Sequence, residues 1–246
     1  MSKNKHRIIF MDIETAPMVV TSWGLYPKAL SHENILADWF MICAAWKYSD
    51  EKKVHAVAIK KEIGDDYEVV KQLRDAIAQA DIVVGHNSDR FDIKKLNARI
   101  IYHGLDPLPM VSSIDTLKEV RKIAAFTSNR LDYLAKVLVG EGKIKTDYHL
   151  WLKAMKGDKK AIADMVAYNK VDVIRLEEVY MRLRPYMKSH IHIGALNDKD
   201  RHDSCPKCGS SRFKLNGVRV TAAGVKRQEC QCQKCGGYFR IPMVKI

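Results

Sequence analysis

The 246-residue chain reads as an α/β protein: a mixed five-stranded sheet flanked by helices, followed by a small cysteine-rich module. Three observations give that reading. An apolar run, Ile8-Ile9-Phe10, leads into the carboxylates Asp12 and Glu14. β-rich runs come first and then alternate with segments of helical period. Five of the six cysteines lie beyond residue 204.

Composition narrows the class. Hydrophobic residues make up 47% of the chain, which excludes wholesale disorder. The net charge of +13, from 42 Lys+Arg against 29 Asp+Glu, calls for a polyanionic partner, either nucleic acid or an anionic membrane surface. No apolar h-region follows Met1, so no secretory signal is expected. The longest apolar run, Trp39 to Trp46, has eight residues, against about 20 for a spanning helix. The expectation is a soluble, cytoplasmic protein in a reducing compartment, where clustered cysteines bind metal more often than they pair.

The first strand ends at Thr15. Thr15 to Ala37 contains Pro17, Gly24 and Pro27 and no period, so it is expected as a long loop with one short helix. Trp23, Leu25 and Tyr26 argue against disorder there. Trp39–Tyr48 and Lys53–Lys60 are β-rich runs separated by Ser49-Asp50-Glu51-Lys52, a hairpin signal that makes three consecutive antiparallel strands. Asp66–Ala80 carries Val69, Val70, Leu73 and Ile77 at helical spacing. Asp81–Gly85 is a short buried strand, parallel to a neighbour after its helical crossover. His86 to Asp89 forms a loop with Asp89 as helix cap, and Phe91 to Ile101 forms the next helix, ending near Gly104. A fifth strand is placed near Pro107–Val111. Helices are expected over Thr116–Ile123, Ser128–Val139, His149–Met155, Lys159–Ala167 and Tyr168–Leu183. The division is then 1–184 for the sheet domain, 185–204 for a polar linker and 205–246 for the cysteine module.

On a strand, residues two apart share a face, so Asp12 and Glu14 present two carboxylates together. Such a pair either sits solvated at a strand end or holds a divalent metal, for which oxygen ligands suit magnesium or manganese. Asn87-Ser-Asp-Arg-Phe91-Asp92 opens a helix, and Tyr168 and Asp172 lie four apart on one helical face. Taken singly, Asp92 reads as a first-turn helix acid, Tyr168 as a packed aromatic, Asp172 as a solvated acid and His86 as a loop histidine. Cys43, alternating within a strand, reads as core.

Phe10-Met-Asp12-Ile-Glu14-Thr15, Asn87-x-x-x-Phe91-Asp92 and Tyr168-x-x-x-Asp172 together resemble, in order, the three motifs of the DEDD 3′–5′ exonucleases with the ribonuclease-H-like fold. The tyrosine makes the chain similar to the DEDDy branch, over roughly residues 7–183. The resemblance implies a metal-dependent 3′–5′ exonuclease acting on single-stranded DNA ends. The alternatives are an RNA exonuclease, a structure-selective nuclease of the same fold, or a non-catalytic nucleic-acid-binding protein. It implies two Mg2+ or Mn2+ ions, roughly 4 Å apart, held by Asp12, Glu14, Asp92 and Asp172. Asp12 would serve both ions, Glu14 and Asp172 the one beside the attacking water, and Asp92 the other. Tyr168 would hydrogen-bond that water rather than act as a strong base, since a phenol titrates near 10. Thr15, His86, Asn87 and Phe91 would contact substrate, with a replication or repair protein as a further partner.

Cys205-Pro-Lys-Cys208 and Cys232-Gln-Lys-Cys235 are two C-x-x-C knuckles, the pattern of one structural tetrahedral zinc ion. They resemble a zinc ribbon, with Cys230 as the alternative to Cys232. From Cys205 to Ile246 there are nine Lys/Arg and one Asp/Glu, with Phe213, Tyr238 and Phe239 interleaved. That composition predicts a nucleic-acid-holding module, against a protein-docking or purely structural knob.

Overall fold

The computed structural model describes residues 6–60, 64–141, 146–188, 191–197, 199 and 203–243. Parts of the expected units therefore lie outside the described residues: 1–5, 61–63 and 142–145 of the sheet domain, 189–190, 198 and 200–202 of the linker, and 244–246 of the cysteine module.

β1 (Ile8–Thr15) is the middle strand of the main sheet. Its alternation divides the core: Ile9, Met11 and Ile13 enter one buried cluster, and Ile8 and Phe10 the other. The face of Ile8 and Phe10 continues as Asp12 and Glu14. The next segment departs from the expected loop and short helix. Val19–Val20 (β2) and Ile35–Ala37 (β3) pair as a two-stranded antiparallel ribbon, and His32–Asn34 makes only a 3₁₀ turn capped by Ser31. β-branched residues at both ends of the segment favour that pairing. The aromatics in between do not anchor it, for Trp23, Leu25 and Tyr26 all stand in solvent.

β4 (Met41–Tyr48) and β5 (His55–Ala58) complete the antiparallel half. α1 (Tyr67–Ile77) crosses to β6 (Ile82–Gly85), which runs parallel to β1. α2 (Asp92–Tyr102) then leads to β7 (Ser112–Asp115), parallel to β6 and a few residues later than expected. Pro107 and Pro109 explain the shift, since a proline removes the donor that a ladder needs. The resulting order is β5-β4-β1-β6-β7, the expected mixed five-stranded sheet. Asp66, fully buried, fastens three elements: it accepts from Arg99 Nε (2.7 Å) and Nη2 (2.6 Å), pairs with His103 Nε2 (2.6 Å), and accepts from Met41 N–H (2.8 Å).

α3 (Thr116–Ile123), α4 (Leu131–Val139) and α5 (Tyr148–Met155) precede α6 (Lys159–Leu183). The two helices expected over 159–183 are one continuous helix of 25 residues. No glycine or proline interrupts it, and the start at Tyr168 marked a motif rather than a cap. α6 packs along β4, where Cys43 and Ala45, on the face of Asp12 and Glu14, are small enough to admit it closely. Its first half joins one core cluster through Ile162 and Met165, its second the other through Val173, Leu176 and Tyr180.

In the stretch expected as a polar linker, Met187 and Ile193 are buried in the second cluster, while Tyr186, Lys188 and Leu196 are exposed. Beyond it, β8 (Phe213–Val220), β9 (Lys226–Cys232) and β10 (Tyr238–Pro242) form a three-stranded antiparallel sheet. This sheet sits against the end of α6. Lys207 Nζ donates to the Pro185 carbonyl, and a Cβ at Gly237 would lie 2.9 Å from that same oxygen.

The turn after β6 is equally close. A Cβ at Gly85 would lie 2.3 Å from Ser88 Cβ, and Ser88 is fully buried. Gly85→Ala is expected to destabilise the protein by about 1–3 kcal/mol through overpacking, read as a lowered urea midpoint with unchanged slope.

Candidate active site and cysteine centre

β1 pairs with β6 only from Ile8 to Phe10, so its last residues project past the end of the parallel ladder. There Asp12 and Glu14 meet Asp172 of α6: one carboxylate oxygen from each lies within 4.8 Å of the others. The site is built from both ends of the chain. Asn169 Nδ2, one turn before Asp172, donates to Asp12 Oδ2 (2.6 Å), and Trp151 Nε1 of α5 donates to Glu14 Oε2 (3.2 Å). Tyr168 packs edge-on against Trp151 with centroids 5.9 Å apart. Asn169 and Trp151 were not singled out from sequence. Asn169 adjoins a recognised tyrosine, whereas Trp151 carries no local signal. The negative field is felt nearby, where burial, Glu14 and Asp12 all push the Cys43 thiol up.

Asp92 stands apart from this trio. It is buried in the first turn of α2, and its Oδ1 accepts the Ile13 N–H at 3.2 Å, a donor that the shortened β6 leaves without a strand partner. Burial, with a smaller contribution from the Asp115 charge, pushes its carboxyl up to about 7, against the pull of its backbone hydrogen bonds. The structure thus brings three of the four expected carboxylates together and sets the fourth one strand residue away, bonded to Ile13. Asp89, expected as the cap of α2, instead reaches Ser113 Oγ (2.5 Å) and Lys118 Nζ (2.6 Å).

Asp115 organises the intervening loop. Its carboxylate caps α3 at Leu117 N–H and accepts the N–H groups of Asn87 (2.9 Å) and Asp89 (3.3 Å). Asn87 is thereby held at φ 65°, in the left-handed region that asparagine tolerates better than most residues. His86 Nδ1 lies 2.9 Å from Thr116 Oγ1. An open cleft of about 870 Å³ is lined by Asp12, Tyr168, His86 and Asn87 together with Arg121, Arg130, Lys136 and Asp132. Of the expected substrate contacts, Thr15 and Phe91 lie outside its lining. Thr15 follows a bulge after Glu14, and Phe91 is half-exposed at the start of α2. The three cleft cations went unnoticed in sequence because nothing local separates them from ordinary surface lysines and arginines.

In the C-terminal module Cys205, Cys208, Cys232 and Cys235 converge within the same 4.8 Å limit. Cys205 Sγ lies 3.8 Å from Cys235 Sγ, and Cys208 Sγ lies 3.6 Å from Cys232 Sγ. Four thiolates at about 2.3 Å from a tetrahedral zinc ion have sulfur–sulfur edges of about 3.8 Å. The spacing fits zinc. Cys230 falls outside the group, buried with its Sγ 4.0 Å from the Gln228 carbonyl. Hydrogen bonds from Cys205 and Cys208 push the Cys235 thiol down, while the bonds of Cys205 to Cys208 and Cys235 push Cys205 up. A dication is what lets all four sulfurs ionise together.

The family model described as RNase_H superfamily matches residues 9–184. The chain belongs to the RNase_H superfamily. Among curated proteins none matches it. A solved family B DNA polymerase from the hyperthermophilic archaeon Pyrobaculum calidifontis aligns over 88% of this chain, with a TM-score of 0.57 and 15% identity. That likeness is one of fold, and this RNase H-like chain covers 31% of the polymerase's length. RNase H-like nucleases use divalent metals, and the acidic and cysteine groups here can each hold one. Among the described residues no helix is long and apolar enough to cross a membrane.

Two outcomes follow from this geometry. Purified protein should carry one zinc ion per chain by metal analysis, with Cys230→Ser retaining it and Cys232→Ser losing it. Asp92 titrates higher folded (about 7) than unfolded, near 4. Its stabilising contribution is therefore full below about pH 4 and lost as pH rises through about 7. Without added Mg2+ or Mn2+, urea midpoints should fall between pH 5 and pH 8, and Asp92→Asn should flatten that fall.

Proposed function

We propose that the chain is a metal-dependent 3′–5′ exonuclease of the tyrosine (DEDDy) type, acting on single-stranded DNA ends. Residues 1–184 form the nuclease unit and residues 205–246 a basic zinc-bearing module that holds nucleic acid. The observation that carries this reading is the convergence of Asp12, Glu14 and Asp172, with Tyr168 one helical turn before Asp172, at an open cleft walled by Arg121, Arg130 and Lys136.

Hard oxygen donors at this spacing suit magnesium or manganese. Asp12, Glu14, Asp92 and Asp172 would hold such ions, whose chemistry would be to activate a water and to offset charge on the attacking and leaving oxygens. Asp12, Glu14 and Asp172 would hold one ion, and Asp12 with Asp92, which bonds the neighbouring Ile13 N–H, would hold the other. Asn169 donates to Asp12 and Trp151 to Glu14, and each bond orients the carboxylate it reaches. Burial raises the Asp92 carboxyl to about 7, so it would have to be ionised to hold a metal ion. Tyr168, packed edge-on against Trp151 and lining the cleft, would offer its hydroxyl to the attacking water or the scissile phosphate. Arg121, Arg130 and Lys136 draw the phosphate backbone against the acidic floor, which by charge alone would repel it. His86 and Asn87, held by Thr116 and Asp115, line the path of the terminal nucleotide.

Incubating the protein with end-labelled single- and double-stranded DNA and RNA, with and without Mg2+, tests the reading. Stepwise loss from the 3′ end of single-stranded DNA is expected, and no metal-dependent cleavage of any of them would refute it. Asp12→Ala should abolish hydrolysis under single-turnover conditions while strand binding survives. Tyr168→Phe should bind metal normally but slow the chemical step roughly tenfold, the worth of one hydrogen bond in the transition state.

A further inference from the structure

Where the cysteine module seats on the end of α6 there is a second open cleft, also about 870 Å³, away from the carboxylates. Arg182, Arg184 and Lys234 line it, and among the described residues no Asp or Glu does. Arg182 and Lys234 are exposed, and among the described residues neither makes an ion pair. Arg184 leans over Tyr180 at 5.8 Å, with its Nε buried and no acceptor on it. Two more lining residues, Tyr186 and Tyr238, are 73% and 50% exposed, far more than packing alone would leave them. The walls are held together, because Lys207 bonds the Pro185 carbonyl and Gly237 lies against it. α4 joins the two clefts: Lys136 lines the catalytic one, and its neighbours Val137 and Leu138 line this one.

From this juxtaposition we infer that the seam is a binding track for single-stranded nucleic acid, distinct from the catalytic cleft and continuous with it along α4. Arg182, Arg184 and Lys234 take the phosphates, and Tyr186 and Tyr238 stack the bases. Cations without carboxylates select a polyanion. Exposed tyrosines between them select one whose flat bases are unpaired, since each base offers a face to stack on and a duplex does not. The track deepens the nucleic-acid-holding role given above to the module, and it rests on that role.

The test is fluorescence anisotropy of full-length, zinc-loaded protein with a labelled oligo-dT, without added Mg2+ or Mn2+ so that no strand is cut. Heparin, a polyanion without bases, and polyglutamate are the competitors. Arg182→Gln and Lys234→Gln should each reduce the slope of log affinity against log salt by about 0.7. Tyr238→Ala should weaken oligo-dT binding roughly tenfold, Tyr238→Phe should restore it, and heparin binding should ignore both. An unchanged slope in the double variant Arg182→Gln/Lys234→Gln overturns the track. So does an equal loss of heparin binding on Tyr238→Ala, or polyglutamate binding that depends on Tyr238, which would give the seam to an acidic protein segment. Cleavage by the unaltered protein in Mg2+ is scored separately. A protein that grips oligo-dT through Tyr238 yet never cuts it keeps the track and loses the nuclease.

Discussion

Three carboxylates held within a few ångströms of one another repel, and nothing about a strand end or a helix face makes them meet by preference. Their meeting has to be enforced by the packing around them. β1 contributes two of them because its apolar alternation fixes which side each residue takes, and that alternation is anchored by residues buried on both faces of the sheet. α6 contributes the third because Cys43 and Ala45 let the helix lie close on β4. Asn169 and Trp151 then fix the rotamers. The energy of an ordinary hydrophobic core is thus what maintains a charge arrangement that the core itself would expel.

The same helix carries the other end of the architecture. Tyr168, Asn169 and Asp172 lie near its middle, and its last turn and Pro185 form the seat for the cysteine module. Within the module, the cross-strand ring pair Phe213–Phe239 (5.3 Å) and the buried Ile241 make a small core beside the four sulfurs. That core is too small to stabilise three short strands by burial alone, so metal ligation is the natural source of the remainder. The docking contacts on Pro185 add to it.

The main features of this arrangement were legible in the residues. The D-x-E pair on an apolar strand, the Asp92 motif and the four-residue spacing of Tyr168 and Asp172 are local patterns, and local patterns survive folding. So are the two C-x-x-C knuckles, which left only the choice between Cys230 and Cys232, a matter of where β9 aims each sulfur. What was not legible depended on distant partners. Asp66 reads only as the start of a helix yet serves Arg99, His103 and Met41, and Asp89 reads as a cap yet turns to Lys118. Trp151 meets Glu14 across 137 positions of chain. The linker looked free because its few apolar residues have no period, although Met187 and Ile193 are enough to pin it. The β2–β3 ribbon escaped because two or three residues per strand are too few for alternation to register.

The rigid span of α6 has a consequence for how long a substrate must be. From Asp172 to Arg184 the helix rises about 18 Å, and neither end can slide relative to the other. On the proposed reading, a strand gripped at the module and trimmed at the carboxylates would be gauged against a fixed ruler. Once shortened below that reach it would be held at one end alone, and degradation would pass from repeated bites on a tethered strand to chance encounters with a stub a few nucleotides long.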